Sequence, residues 1–262
     1  MSIRRPGYFG AVVIDLNADL GEGFGIWRLG DDDALLDVIT SANVACGFHA
    51  GDPITMRRVC AAAAARGVAV GAQVGYRDLA GFGRRRIDVN REELAADVLY
   101  QLGALDACAK AAGIRVSYVK PHGALYNTAV DDPAQASAVA EAVAAYDAGL
   151  PLLALPSSAL ADAAAAAGLP FVAEAFADRA YLATGRLLPR SEPDAVLHDP
   201  EVVTARALDI AAHSRVRAAD GTLLQLEARS LCLHGDTPGA VQLATATRQR
   251  LAAAGVTVRR FT

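Results

Sequence analysis

The chain has 262 residues, 53% of them hydrophobic and 21% charged, with a net charge of −4. That length suits one α/β domain whose core needs no disulfide or metal staple, and the acidic balance gives no electrostatic reason to expect a nucleic-acid partner. No apolar run reaches the roughly 18 residues of a membrane span, and the N-terminal stretch Met1–Gly10 lacks the apolar segment of a secretory signal.

Residues 1–11 read as an N-terminal extension and 12–262 as a single domain. Apolar, β-branched runs predict strands at Val12–Asn17, Ala42–Cys46, Val68–Gln73, Val116–Lys120, Leu152–Leu155, Phe171–Glu174 and Ser230–His234, with a weaker eighth at Val256–Phe261. None alternates cleanly with polar residues, as expected of parallel strands covered by helices. Asp52-Pro53, Asp132-Pro133, Asp199-Pro200 and Thr237-Pro238 each place a capping side chain before a first-turn proline. Gly67, Gly113, Gly149, Gly168 and Gly255 follow alanine-rich helical runs, as C-terminal caps do. Asn90–Ala112 carries Leu94, Val98, Leu102, Leu105 and Ala109 at helical spacing.

Seven or eight βα units with no linker between them predict a (β/α) barrel, with a doubly wound open sheet as the alternative. That alternative needs a phosphate loop after the first strand. Gly21-Glu22-Gly23-Phe24-Gly25 lacks the third glycine and puts an acid where a pyrophosphate would lie; no G-x-x-x-x-G-K-[ST] occurs either. The four cysteines, Cys46, Cys60, Cys108 and Cys232, are widely spaced with no CxxC, so they read as reduced thiols in a cytoplasm.

A barrel carries its chemistry at the C-terminal ends of its strands, and polar residues collect there. Strand 1 ends in Asp15, Asn17 and Asp19, which share one face while Ile14 and Leu16 take the other. Further along come Asn43 and His49, then Gln73, Lys120 and His122, Glu174 and Arg179, and His234. Asp15, inside an apolar strand, would be costly to bury without a role or a partner. Asp52 and Asp236 read as helix caps, and Glu22 reads equally as a loop cap or as part of the site. His198 and His213 read as surface residues.

Alanine makes up roughly a fifth of the chain, and of 25 basic residues only Lys110 and Lys120 are lysine. A bias toward Ala and Arg accounts for the composition. Lys110 reads as solvent-facing on a helix. Lys120, at a strand end, is a compact ammonium that Arg does not replace; its structural alternative is an ion pair with Asp15 or Asp19. Neither G-x-S-x-G nor H-E-x-x-H is present.

At these strand ends the chain resembles the LamB/YcsF family. The resemblance rests on Ile14-Asp15-Leu16-Asn17-Ala18-Asp19-Leu20-Gly21-Glu22, on Ser41 to Asp52, and on Val119-Lys120-Pro121-His122-Gly123-Ala124-Leu125-Tyr126-Asn127. Later blocks follow in order at Glu174 to Arg179, Leu188 to Ser191 and Cys232 to Asp236. The resemblance implies a distorted (β/α) barrel of the glycoside hydrolase/deacetylase type. It implies a hydrolase that opens the cyclic amide 5-oxo-L-proline to L-glutamate with ATP as co-substrate, together with partner subunits B and C that take part in handling the ATP. One block departs from the family pattern: Ala72-Gln73-Val74-Gly75-Tyr76-Arg77-Asp78 has Gln73 where the family usually has His, and lacks two prolines. Gln is neither a general acid nor a base and is a poor transition-metal ligand, so a metal role is left open.

The mechanism that follows has ATP phosphorylate the lactam oxygen, after which water attacks and phosphate leaves. Asp15 or Asp19 is the expected general base. Lys120 and His122 stabilise oxyanion or phosphate charge, and Arg179 or Arg190 pairs with the substrate carboxylate. Asn17, Asn43 and His234 orient the substrate, with His49, Gln73 and Glu174 beside them. Two alternatives stand: a metal-dependent amidohydrolase or deacetylase built on His49, His122 and the acids, and a non-catalytic lactam-binding subunit.

Overall fold

A computed structural model describes residues 12–236 and 239–262. The chain runs β1 (Val13–Leu20), α1 (Asp32–Leu36), β2 (Ser41–Ala45), α2 (Pro53–Arg66), β3 (Ala69–Val74), α3 (Arg91–Ala111), β4 (Val116–Pro121), α4 (Gly123–Asp131) and α5 (Pro133–Tyr146). It continues with β5 (Leu152–Ala154), α6 (Ala159–Ala166), β6 (Phe171–Phe176), α7 (Pro200–His213), β7 (Arg215–Arg217), β8 (Leu223–Gln225), β9 (Ser230–Leu233), α8 (Ala240–Ala253) and β10 (Thr257–Val258). Seven parallel strands, β1 to β6 and β9, form a ring that closes where β9 pairs with β1 from Asp15↔Ser230 to Ala18↔Leu233.

The barrel expected from the sequence is thus present, with seven staves. The eighth strand shrinks to β10, which pairs with β1 only at Val13 and Ile14, before β2 takes up pairing at Asn17. An antiparallel hairpin, β7–β8, stands apart from the ring and was not expected; its short strands carry no alternating pattern to reveal it. Among the described residues no helix is long and apolar enough to cross a membrane, and all four cysteines are free thiols.

Local chemistry sets the helix ends. The Asp52, Asp132 and Asp199 carboxylates accept first-turn N–H groups of α2, α5 and α7. Gly67, Gly113, Gly168 and Gly255 take the left-handed conformation at helix ends. Gly149 does not serve this way: α5 ends earlier, at Asp147, whose Oδ1 accepts the Gly149 N–H at 2.8 Å. The cap expected at Thr237-Pro238 lies outside the described residues. Leu94, Val98, Leu102, Leu105 and Ala109 line the buried face of α3 as their spacing predicts.

Side-chain alternation then divides β1 cleanly. Ile14, Leu16, Ala18 and Leu20 face the core between barrel and helices, while Asp15, Asn17 and Asp19 face the barrel interior. Below them Ala69, Tyr118, Leu153 and Val172, with Phe261 packed against them, make an apolar floor. Tyr118 meets Phe261 edge-on with ring centroids 5.1 Å apart, and its hydroxyl donates to Asn43 Oδ1 at 2.6 Å. A Cβ on Gly71 would overlap the Tyr118 ring. Because Tyr118 is held at both ends, Gly71→Ala is expected to cost about 1–3 kcal/mol by overpacking, read as a lowered midpoint in equilibrium urea unfolding. An unchanged midpoint would mean that the floor yields freely.

Candidate active site

The interior above the floor is polar and nearly dry. Asp15 lies lowest, accepting O–H groups from Thr40 (2.7 Å), Ser41 (2.6 Å) and Ser230. Burial still outweighs those three donors and raises its pKa. One step up, Asn17 donates to Glu174 Oε1 at 3.0 Å and Ser230 Oγ at 2.7 Å, and accepts from Asn43 at 2.7 Å. Asn43 also donates to Asp19 Oδ1 at 2.8 Å. Asn17 and Asn43 therefore spend their amides on neighbours and hold the charged layer above, instead of facing a ligand.

That layer centres on Lys120. Its ammonium lies 2.8 Å from Glu174 Oε1, 3.4 Å from Asp19 Oδ1, 3.2 Å from Asn17 Oδ1 and 3.1 Å from Cys232 Sγ. Burial alone would discharge it. The carboxylates of Asp19 and Glu174 outweigh burial and hold its pKa well above the usual lysine value. In return Asp19, which burial would raise, is held below the usual range chiefly by Lys120. The ion pair anticipated with Asp15 or Asp19 forms with Asp19 and Glu174. Lys110 pairs only with Asp106, one helical turn away on α3.

A second cluster sits behind His122 and joins it to His49 and Gln73, all expected at the site, and to Glu22. The His49 and His122 rings stack 3.9 Å apart and 11° from parallel. Gln73 bridges His49 Nε2 (3.2 Å) and Glu22 Oε1 (3.3 Å), and His122 Nε2 stands 3.6 Å from the same oxygen. Glu22 is thus a buried site residue and no loop cap. Burial, and then repulsion from Asp19 and Asp236, raises its pKa well above the carboxylate range. Gly83, at φ +65°, makes room for the stack: a Cβ there would lie 2.7 Å from both His122 Nδ1 and the His49 Cβ. Gln73 and His49 face each other and Glu22, away from the pocket.

Glu22, His49 and His122 offer ligand atoms within 4.8 Å of one another, so the fit to a metal can be tested. Stacked parallel rings aim their lone pairs side by side, where two histidine ligands must converge on one centre. His49 Nε2 is already engaged by Gln73. Each Nδ1 is buried without a partner and abuts a glycine, since a Cβ on Gly75 would lie 2.6 Å from His49 Nδ1. The side chains as placed do not fit a divalent ion, and no step below uses one.

The pocket opens over Lys120, with a volume of ≈ 40 Å³ lined by Asp19, Lys120, His122, Arg179, Arg190 and His234 among others. Arg84 and Tyr126 join them, the latter donating to Glu174 Oε2 at 2.9 Å. His234 is fixed by Asp178, whose Oδ2 takes both the ring Nδ1 contact (2.8 Å) and the His234 backbone N–H (3.0 Å). This selects the tautomer with Nδ1 protonated and leaves Nε2 as an acceptor. Asp236 caps no helix but pairs with Arg84 at 2.5 Å. Arg84 and Asp178 were missed because each acts on a residue far away in sequence.

The stacked imidazoles also set an acid limit on stability. Burial pushes His49 down to about 4; burial, His49 and Arg84 push His122 well below the ordinary histidine value. The unfolded chain takes up these protons near pH 6.5 and the folded chain does not. Stability is therefore full above that pH and lost as pH falls toward 4, by about 3 kcal/mol for the His49 shift alone. Thermal melts should show Tm falling from pH 6.5 to 4.5, with a smaller fall in His49→Gln. An identical fall in that variant would assign the acid loss to other groups.

A model of the LamB/YcsF family matches residues 14–262. Among curated proteins, the A subunit of 5-oxoprolinase from Mycobacterium avium (strain 104) is 65% identical over 248 residues, covering 95% of this chain and 98% of that one. The protein of the same name from Streptomyces avermitilis is 62% identical over 249 residues, covering 95% and 100%. Among solved structures, the lactam utilization protein from Thermus thermophilus superposes with a TM-score of 0.90 at 48% identity, covering 95% of this chain and 99% of that chain. The strand-end residues that build the charged interior lie inside the matched region, and the chain belongs to the LamB/YcsF family.

Proposed function

We propose that this chain is the lactam-opening subunit of an ATP-dependent 5-oxoprolinase, which hydrolyses 5-oxo-L-proline to L-glutamate in the cytoplasm together with partner subunits B and C. The observation that carries the reading is identity of 62–65% along nearly the full length of relatives named as the A subunit of 5-oxoprolinase. The pocket suits the chemistry. A lactam carbonyl is a poor electrophile until its oxygen is phosphorylated, and the chain has no phosphate loop of its own. ATP is therefore bound with or by the partners.

In this scheme the lactam oxygen attacks the terminal phosphorus of ATP, and ADP leaves. Water adds to the activated ring carbon and gives a proton to His234 Nε2. Asp178 steadies the imidazolium that forms, as a carboxylate does for a paired histidine. Lys120, already ionised and aimed into the pocket, stabilises the negative charge that develops on the oxygens bound to that carbon. The C–N bond then breaks, the nitrogen takes back the proton held on His234 Nε2, and γ-glutamyl phosphate results. A second water releases phosphate, so one lactam, one ATP and two waters give glutamate, ADP and phosphate. His234 takes the base role in place of Asp15, which lines no part of the pocket, and of Asp19, whose lowered pKa makes it a weak base and a strong partner for Lys120.

Association with partners has a candidate surface. Trp27 (68% exposed), Leu29 and Ile54 share the lining of one surface cavity with Asp31, Asp32, Asp33 and Arg58, and the exposed Ile26 (92%) precedes Trp27 in the chain. Such exposed clusters commonly mark interaction sites.

The test is glutamate release from 5-oxoproline by the chain with and without B and C, each with and without ATP. Turnover is expected only when all components are present. His234→Asn should lower kcat by about 10²–10⁴-fold, the usual worth of a general base. Asp15→Asn should lower Tm while sparing kcat of the folded enzyme. Near-normal turnover of His234→Asn would remove His234 from the mechanism, and turnover by the chain alone would refute the partner requirement. Trp27→Asp is expected to reduce co-purification of B and C without changing the fold, measured by size-exclusion chromatography and circular dichroism.

A further inference from the structure

The pocket over Lys120 is too small for a phosphorylated lactam, and it continues sideways into a larger cavity of ≈ 410 Å³. Five guanidinium groups line this outer cavity: Arg84, Arg86, Arg179, Arg186 and Arg190. Three have carboxylate partners: Arg84 with Asp236, Arg86 with Asp132 at 3.5 Å and Arg186 with Asp131 at 2.8 Å. Arg179 and Arg190 have none among the described residues. Arg179 is only 4% exposed. Its Nε and Nη2 donate to the backbone carbonyls of Ala195 (3.0 Å) and Leu188 (2.6 Å), which fix the side chain but supply no counter-charge.

A buried cation such as Arg179 without a counter-ion is costly, and Arg190 beside it, exposed at the cavity mouth, adds repulsion. Burial and the charge of Arg190 together draw Arg179 down to about 10. The amino end of α4 borders the same space through Gly123 and Ala124; its N-cap residue, His122, makes no side-chain capping bond, and the Gly83 carbonyl takes the Ala124 N–H at 2.8 Å. Helix N-termini favour anions. Two unpaired guanidiniums and a helix N-terminus call for a dianion. The lactam carries one carboxylate charge; the group it acquires on activation carries two.

We propose that Arg179 and Arg190, with the amino end of α4, form a binding site for a phosphoryl dianion, the phosphate carried by the activated lactam and released at the end of the reaction. The single substrate carboxylate then goes to Arg84, whose other N–H donors have no hydrogen-bond partner among the described residues beyond Asp236. This assignment rests on the 5-oxoprolinase reading for the source of the phosphate, but the site itself belongs to this chain.

Isothermal titration of the full-length chain with inorganic phosphate, at constant chloride, tests it. Saturable binding is expected, weakened at least tenfold in Arg190→Gln and in Arg179→Gln and unchanged in Arg91→Gln, whose partner is Glu141 on α5. Affinity for 5-oxoproline should change less than threefold in the same variants. The Arg190 side chain makes no backbone bonds among the described residues, so its variant carries the test if Arg179→Gln fails to fold. Titration with ATP separates the sources: affinity similar to phosphate assigns the site to the transferred group, and much tighter binding, lost in both variants, assigns it to the donor's terminal phosphate. No saturable phosphate binding, or equal binding by the variants, overturns the proposal. So does loss of 5-oxoproline affinity with phosphate affinity kept, which would give the pair to the carboxylate. Failure of the reconstituted complex to release glutamate would count against the functional reading alone, because the phosphate titration uses neither partner nor substrate.

Discussion

An ammonium buried inside a barrel is the constraint on which the site depends. Lys120 can stay charged there only if carboxylates stand close by, and Asp19 and Glu174 do. Those two acids would in turn be unstable in a dry interior without Lys120 and the amide donors of Asn17 and Asn43. Asn17 and Asn43 are oriented from below by Ser230 and Tyr118. The polar column is thus a chain of mutual requirements running from floor to pocket. Removing one member leaves another buried without a partner, a more expensive defect than replacing the whole set by apolar residues.

Much of this was legible in the sequence where the governing rule is local. Strand alternation put Asp15, Asn17 and Asp19 on one face, and they face inward together. The Asp-Pro pairs marked helix starts because a carboxylate cap and a proline without an N–H both suit a first turn. The shortage of lysine drew attention to Lys120, which proved to be the centre of the charged layer. Local rules failed where neighbours decide. Gly149 has the look of a helix cap, but Asp147 ends α5 first. Asp236 has the look of a cap and is taken by Arg84 across the barrel mouth. Asp15 was correctly marked as costly to bury, and its cost is offset only in part by three hydroxyl groups, an arrangement that no spacing pattern encodes.

The second cluster shows how a substitution changes what a site can hold. With Gln73 between His49 and Glu22, an amide both donates and accepts, tying a neutral imidazole to a protonated carboxyl. Burial, then His49, Arg84 and Lys120 nearby, favour the neutral state of His122. The result is a stack of uncharged rings that fills space and stores a proton on Glu22. The cationic side of the pocket lies elsewhere, at Arg179 and Arg190. Acidic and basic work are thereby kept apart within a few ångströms.

Closure of the ring between β1 and β9 has a consequence for the order of events in folding. Asp15 receives one of its hydroxyl donors from Ser230, 215 residues later, and Lys120 meets Cys232 only when the last stave is in place. Contacts so distant in sequence form slowly, because the intervening chain must first be brought into a loop. Until β9 arrives, the barrel is an open sheet with an unpaired edge and its interior charges still hydrated. Drying of the polar column is therefore a late step, and the pocket over Lys120 comes into being together with the closed barrel.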